Sequence, residues 1–343
     1  MNSKVTIKDV AAAAGVSYQL VSGVLSGRMS TIRCRPAVRR RVEEVAMQLG
    51  YRPNQLARSF QARRSFLCGV MLEKSLSWQA SDFLRGVQEV LDTVGMMPIY
   101  ISHADDLEAA RNMATLVETR QVDALIVSGS AGPQESVAQT IPVVQMFDYG
   151  PGDGKRIQIV PDVERFGREA TRQMLALGHR RVALLTHEQY QKNPDARKIW
   201  EGYAAAMAEA NLIPQVVAHS LACYRGDGRI FYWYHGAKEV LAQIFDRKPR
   251  PTAVVCYDTA HAYALAEEAS RRGIPVPGEL ALSGMHDTEL TGMSQPSLTS
   301  WEFPPMALGQ AAAQAVLERL RGDSGPLVRR IPPICTIRDS TGP

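Results

Sequence analysis

The chain has 343 residues, 45% of them hydrophobic and 22% charged, with a net charge of +4; that length suffices for one small core and one or two larger ones. Residues 1–66 hold twelve Lys/Arg against three Asp/Glu, and the remainder holds 27 against 32. A basic head on a mildly acidic body fits a polyanionic partner met by the head alone. Five scattered cysteines (Cys34, Cys68, Cys223, Cys256 and Cys335), no basic-then-apolar leader and no run of 18 apolar residues argue against a disulfide framework, a zinc site, export or a membrane span. The expectation is a cytoplasmic protein.

In chain order, Thr6 caps a first short helix with Asp9 as its capping-box partner, and Gly15 ends it where a left-handed residue is needed. Ser17 caps a second helix, closed by Gly27. Val10, Ala11, Ala14, Val16, Leu20, Val21, Val24 and Leu25 recur at helical spacing and predict one small core. Tyr18, Gln19, Ser22 and Gly23 are then expected to look outward. This is the layout of a helix-turn-helix, whose second helix meets base edges in the major groove. Pro36–Leu49 predicts a third helix with Val38, Val42, Val45, Ala46 and Leu49 inward and Arg39, Arg40 and Arg41 outward.

With Gly50-Tyr51-Arg52-Pro53-Asn54 following, the chain resembles the LacI/GalR family of bacterial transcription regulators. The matching blocks are Val5–Ala11, Gly15-Val16-Ser17, Val21-Ser22, Val24-Leu25, Leu49–Asn54 and Leu56-Ala57-Arg58-Ser59. The resemblance implies that residues 1–53 form the DNA-binding domain. It also implies that 54–65 form a hinge helix that folds on operator DNA, pairs with its dimer mate and wedges open the minor groove. On composition alone that segment reads as a basic linker, since so short a helix is marginal in water. Ala57 is small enough for two such helices to approach. Phe60 stands where relatives usually carry leucine, and an aromatic wedge can enter a base step.

From Phe66 onward, strand and helix alternate. Strands are expected at Leu67–Leu72, Met97–Ile101, Ala124–Ser128, Pro142–Met146, Arg181–Thr186, Val216–His219, Ala253–Cys256 and Leu280–Ser283. Helices are expected at Phe83–Val94, Leu107–Arg120, Val163–Leu177, Ala196–Ala210, Gly236–Phe245, Thr259–Arg272 and Met306–Arg321. Such alternation predicts parallel sheets flanked by helices, so the fold class is a small all-α head plus an α/β body. The blocks Val122–Ile126, Leu177–Leu185, Gly273–Pro277 and Pro296–Thr299 are among those that make this body, residues 66–343, similar to the family's two-lobed effector and dimerisation domain, akin to periplasmic sugar-binding proteins. By analogy lobe one takes about 66–160 and 291–323, and lobe two about 161–290 and 324–343. Ligands in such folds sit outside the carboxyl ends of the strands.

The expected DNA contacts are Thr6, Ser17, Tyr18, Gln19, Ser22, Arg28, Asn54, Ala57, Arg58 and Phe60. Glutamine can pair bidentately with adenine, and tyrosine can donate to a base or phosphate. Gly23 stands where the family usually has an arginine that reads guanine. Arg28, Arg33 and Arg35 lie in a segment that departs from the family; they read as phosphate clamps or as a solvated loop. The expected ligand contacts are Trp78, Gln79, Ser128, Arg197, Trp233 and Asp258. The resemblance assigns Arg197 the grip on a ligand hydroxyl or carboxylate and Asp258 the acceptance of sugar hydroxyls or a base nitrogen; a structural ion pair between them, or with other groups, is the plain alternative. Ser77-Trp78-Gln79-Ala80 replaces the family's Asn-Pro-Phe-Phe, Tyr257 its usual asparagine, and Met285-His286 its usual Phe-Asp.

No motif for hydrolysis, metal ligation or nucleotide cofactors follows any strand; no enzyme, no cofactor and no metal are expected. The function implied is a sequence-specific DNA-binding transcriptional regulator, a repressor more readily than an activator. It acts as a homodimer or higher assembly on pseudo-palindromic double-stranded DNA, tuned by a sugar or sugar-derived acid held between two lobes. The alternative is a DNA-binding regulator with no small-molecule ligand, controlled by a protein partner or constitutive.

Overall fold

The computed structural model describes residues 5–25, 34–51, 64–73, 80–103, 111–112, 115–117, 119, 121–128, 140–147, 156–219, 236–323, 325 and 327–342. Its internal contacts divide the chain into two units, Met1–Phe66 and Leu67–Pro343. In the first, helix α1 spans Ile7–Ala14. The Asp9 carboxylate accepts from both the backbone N–H and the hydroxyl of Thr6, at 2.8 and 2.7 Å, satisfying a helix-end donor. Gly15 takes φ 64°, the left-handed conformation that turns the chain toward α2, Tyr18–Leu25. Ser17 Oγ accepts from the Leu20 N–H at 3.3 Å and so caps that helix. Helix α3, Pro36–Gln48, starts on a proline whose missing N–H costs nothing there.

Val10, Ala11, Ala14, Val21, Val24, Val42 and Ala46 form the core of this unit, with Val16, Leu25, Val45 and Tyr51 against it. Two expectations are corrected. Leu49 is 38% exposed rather than inward, because it caps α3 and the chain then reverses so that Tyr51, whose N–H donates to Ala46 O at 2.9 Å, takes the core side. Gly23 is buried rather than outward-facing, between the inward Val21 and Val24.

The second unit holds two six-stranded sheets. The first is ordered β11-β5-β4-β3-β1-β2, with β1 at Leu67–Glu73, β2 at Met97–His103, β3 at Ala124–Ser128, β4 at Val143–Met146, β5 at Ile157–Pro161 and β11 at Val328–Ile331. The second is ordered β12-β10-β9-β8-β6-β7, with β6 at Val182–His187, β7 at Gln215–His219, β8 at Ala253–Cys256, β9 at Ala281–Met285, β10 at Thr299–Glu302 and β12 at Ile334–Thr336. The two orders repeat one topology, and the pairings are parallel except that of β10 with β12. Parallel strands covered on both faces are continuously apolar, as in the fully buried β8.

The helices are α4 at Ala80–Asp92, α5 at Val163–Ala176, α6 at Pro194–Glu209, α7 at Ala237–Asp246, α8 at Thr259–Arg271, α9 at Glu289–Met293 and α10 at Pro305–Arg321. Residues 111–112 and 115–117 of the expected Leu107–Arg120 segment are helical. Among the described residues no helix is long and apolar enough to cross a membrane.

Strand membership corrects two of the expected lobe boundaries. β10 runs parallel to β9, pairing Thr299 with Ser283, so the chain stays in the second lobe until Glu302 rather than about 290. β11 pairs Val328 with Gln158 of β5, so the last passage lies between Ile331 and Ile334 rather than near 324. Each lobe also has one tight helix pair: α4 with α10, and α5 with α6. A Cβ added at Gly86 would lie 2.1 Å from Met306 O, and one at Gly309 would lie 2.1 Å from Phe83 O. At Gly167 it would lie 2.1 Å from Ile199 O, and at Gly202 1.9 Å from Glu164 O. The obstacle is backbone in every case, so it cannot rotate away. Gly202→Ala is therefore expected to lower the unfolding free energy by about 1–3 kcal/mol through overpacking, measured as a lower urea midpoint; an unchanged midpoint would mean that the helices separate without cost.

Candidate nucleic-acid interface and effector site

In the head, the Gly15 turn and the Ser17 cap aim the first turn of α2 outward. Tyr18 is 42% exposed, Thr6, Ser17 and Gln19 are exposed, and Ser22 is half-buried. Thr6 and Ser17 each spend a hydrogen bond on a helix terminus, which leaves Tyr18 and Gln19 as the long side chains of this turn. On α3, Arg40 and Arg41 are exposed, and Arg39 pairs with Glu43 at 2.9 Å. Arg35 is exposed just before that helix. The expected contacts Arg28, Asn54, Ala57, Arg58 and Phe60 lie outside the described residues, as do Arg33 and the hinge up to residue 63.

In the larger unit the polar groups collect at the carboxyl edge of the second sheet. Asp258 follows β8 by two residues and caps α8, its Oδ1 accepting from the Ala260 N–H at 2.7 Å. His286 follows β9 directly, at φ 74°, a left-handed conformation uncommon for a side-chain-bearing residue. Its Nε2 lies 3.9 Å from Asp258 Oδ2 and its Nδ1 4.0 Å from Glu302 Oε1. Glu302, at the end of β10, is anchored through Oε2 by the Asp287 N–H at 2.9 Å. Tyr257 donates to Asp195 Oδ2 at 2.5 Å, joining the strand β8 end to the first turn of α6. Burial opposes a charge on His286, but the Glu302 carboxylate, with Asp258 and Asp195, outweighs it and raises the imidazole above its ordinary value. His261, deeper behind this edge, is instead held below the ordinary value by burial, with His219 and His187 adding to the effect.

Arg197, on the first turn of α6, pairs with Glu201 at 3.5 Å and stays about half exposed. Arg197 and Asp258 are thus partnered separately, Arg197 by Glu201 and Asp258 by His286 and the helix it caps. Ser128 is completely buried at the end of β3 in the first sheet. Trp78, Gln79 and Trp233, with Phe231, Tyr232 and Tyr234, lie outside the described residues. The sequence reading did not single out Asp195 or Glu302. Their signal is position, since each lies where a strand ends or a helix begins on the ligand side of a doubly wound sheet. Among the described residues no group of three or more His, Cys, Asp or Glu side chains could hold a metal ion.

Residues 6–54 match the family described as bacterial regulatory proteins, lacI family, and residues 171–341 match the periplasmic binding protein-like domain. The ribose operon repressor of Escherichia coli (strain K12) is 30% identical over 321 residues, covering 92% of this chain and 93% of that protein. The chain belongs to the lacI family. Two examples stand among the solved structures that share its fold. They are the Lac repressor dimer bound to operator and the anti-inducer ONPF, with a TM-score of 0.70, 21% identity and coverage of 99% and 100%; and the transcriptional regulator CelR–cellobiose complex, with 0.64, 20%, and 98% and 100%. As a lacI-family member the protein is a DNA-binding transcriptional regulator, with a helix-turn-helix head and an effector-binding α/β body.

The effector edge of this lacI-family body is braced from behind by the C-terminal segment. Arg338 binds Asp287 Oδ2 at 2.9 Å, Ser300 Oγ at 2.6 Å and Leu298 O at 2.8 Å; Thr291 also donates to Asp287. Burial works against the Asp287 charge, but the bonds from Arg338 and Thr291 win and hold its carboxyl below the ordinary aspartate value. A depressed carboxyl contributes stability in full above its unfolded value, roughly pH 3.9, and loses it as pH falls through the folded value. Asp287→Asn is expected to cost about 1.5–3 kcal/mol at pH 7, with the deficit closing in acid. Thermal melts from pH 7 to pH 2.5 measure it; a deficit constant with pH would show that the charge contributes nothing.

Proposed function

We propose that the protein is a cytoplasmic repressor that binds a pseudo-palindromic operator as a homodimer and is switched by a small polyhydroxyl ligand, a sugar or sugar-derived acid. The observation that carries this reading is the carboxyl edge of the second sheet, where Asp258, Glu302, His286 and the Tyr257–Asp195 pair converge, with Arg197 on α6 beside Asp195. Convergent carboxylates and donors suit a ligand rich in hydroxyls. The CelR structure with cellobiose supports the ligand class by kinship of fold, and the Lac repressor dimer on its operator supports the assembly. In the head, the exposed Tyr18 and Gln19 read base edges, and the basic surface of α3 supplies phosphate attraction that weakens with salt.

A ligand alters operator affinity only through unequal affinity for two arrangements of the effector body. Retention of genomic fragments at a fixed salt concentration, with and without a panel of sugars and sugar acids, tests the reading. A short list of near-palindromic sites, released or gained with one compound, is expected. Diffuse retention unaffected by every compound would overturn it.

Two substitutions sharpen that test. Gln19→Ala is expected to reduce discrimination at one or two base pairs of each half-site by about 1–3 kcal/mol, seen in competition binding against single-base operator variants; unchanged discrimination removes Gln19 from readout. Arg197→Ala is expected to abolish the ligand response while operator affinity without ligand stays at the wild-type level. A normal response in fluorescence anisotropy retires that role.

A further inference from the structure

His286 stands where two anchored carboxylates converge. Asp258 has one oxygen committed to the α8 N–H of Ala260 and turns the other to Nε2 at 3.9 Å. Glu302 has one oxygen committed to the Asp287 N–H and turns the other to Nδ1 at 4.0 Å. Both carboxylates are thus fixed by backbone, and the ring is fixed by its left-handed φ of 74° and by its own N–H, which donates to Trp301 O at 2.8 Å. A strained backbone at a site edge is a pointer to function. The Nδ1 side is buried against Glu302 Oε1, whereas the side chain as a whole keeps about a quarter of its surface exposed.

The 3.9 Å separation is too long for a hydrogen bond. It is, however, the span of a bridged pair. An oxygen about 2.8 Å from Nε2 and about 2.7 Å from Oδ2 sees the two atoms at roughly 90°, an angle that a hydroxyl group meets while accepting from one and donating to the other.

Resting on the polyhydroxyl reading above, we infer that His286 and Asp258 form a hydroxyl clamp, in which one ligand hydroxyl accepts from Nε2–H and donates to Oδ2, making His286 a specificity-determining residue. The clamp needs a proton on Nε2, which the charged ring always carries. A neutral ring whose proton sits on Nδ1, toward the Glu302 carboxylate, leaves Nε2 and Asp258 both presenting acceptors to a hydroxyl that has one proton to give. The groups facing the ring are Asp258 from the β8–α8 junction, Glu302 from β10 and Asp195 from α6. Asp287 beside the ring is neutralised by Arg338. The carboxylates keep the imidazole charged above its ordinary range, so ligand binding is complete at lower pH and declines as pH rises through that raised value.

The test uses the full chain and two readouts. In calorimetry from pH 5.5 to 8.5, the probes are ribose, glucose, galactose and cellobiose with their monodeoxy analogues. A compound that binds the wild type is expected to lose about ten- to a hundredfold in affinity when the clamped hydroxyl is deleted. Its affinity is also expected to fall toward alkaline pH. In His286→Gln the affinity drops, its pH dependence flattens and the penalty for that deoxy analogue shrinks. An unchanged pH profile and deoxy penalty in His286→Gln overturn the clamp and leave the carbohydrate reading standing. If no probe binds at any pH while operator fragments are still retained, the carbohydrate reading fails instead. The second readout then decides the charged clamp without a ligand: the His286 ring, assigned in NMR spectra by its loss in His286→Gln, is expected to titrate above the ordinary histidine value. That titration is expected to move down in Glu302→Gln and in Asp258→Asn. Titration at or below the ordinary value in the wild type overturns the clamp.

Discussion

The architecture of the effector body depends on two places where helices touch backbone to backbone. Gly86 and Gly309 lie against the carbonyls of Met306 and Phe83, and Gly167 and Gly202 lie against those of Ile199 and Glu164. In each pair both helices contribute a glycine, so the approach is reciprocal and closer than any side chain allows. Polar contacts then pin the register: Gln310 reaches Glu89 at 3.0 Å in one lobe, and Lys198 reaches Glu164 at 3.3 Å in the other. Tyr203 locks the second pair onto its sheet, its buried hydroxyl donating to Val182 O at 2.8 Å and accepting from the Gln215 N–H at 2.7 Å. With α6 set in this way, Asp195 on its first turn comes to the same sheet edge as Tyr257 and Asp258.

That edge works by combining rigid scaffolding with concentrated charge. Asp258 and Glu302 are each held by a main-chain donor and Asp195 by the Tyr257 hydroxyl, so their positions are set by the fold rather than by the ligand. Preorganised polar groups recognise a partner without the entropic cost of collecting them on binding. The same economy appears in the head, where Thr6 and Ser17 stabilise helix ends and so leave Tyr18 and Gln19 as the long groups at the surface of α2's first turn.

Much of this was legible in the sequence wherever a local signal coincided with the tertiary outcome. Gly15 at a helix stop, Asp9 three residues after Thr6, and the apolar runs at 124–128 and 253–256 each predicted the element that formed. The strands that escaped notice carry polar residues whose partners lie far away. Thr299 in β10 is satisfied by Ser340 and Thr341, about forty residues on, at 2.9 and 2.7 Å. Gln158, buried in β5, gives that segment a mixed face. The lobe boundaries were missed for the same reason, since only pairing shows which sheet β10 and β11 join. At the site, Asp258 and Arg197 were visible as motif positions, whereas Glu302 was not, because its role depends on β10 lying beside β9.

The placement of α10 and β11 also bears on the order in which the molecule can be completed during synthesis. The core of the second lobe draws on residues 183 to 298, a single uninterrupted stretch. The first lobe starts earlier, at β1, yet lacks the partner of α4 and its edge strand until residues 305–331 exist. A chain that emerges from its N-terminus therefore begins one lobe, builds most of the other and only then returns to close the first. During that interval α4 holds an uncovered glycine-lined face, and any factor that shields nascent chains meets this face before it meets the finished regulator.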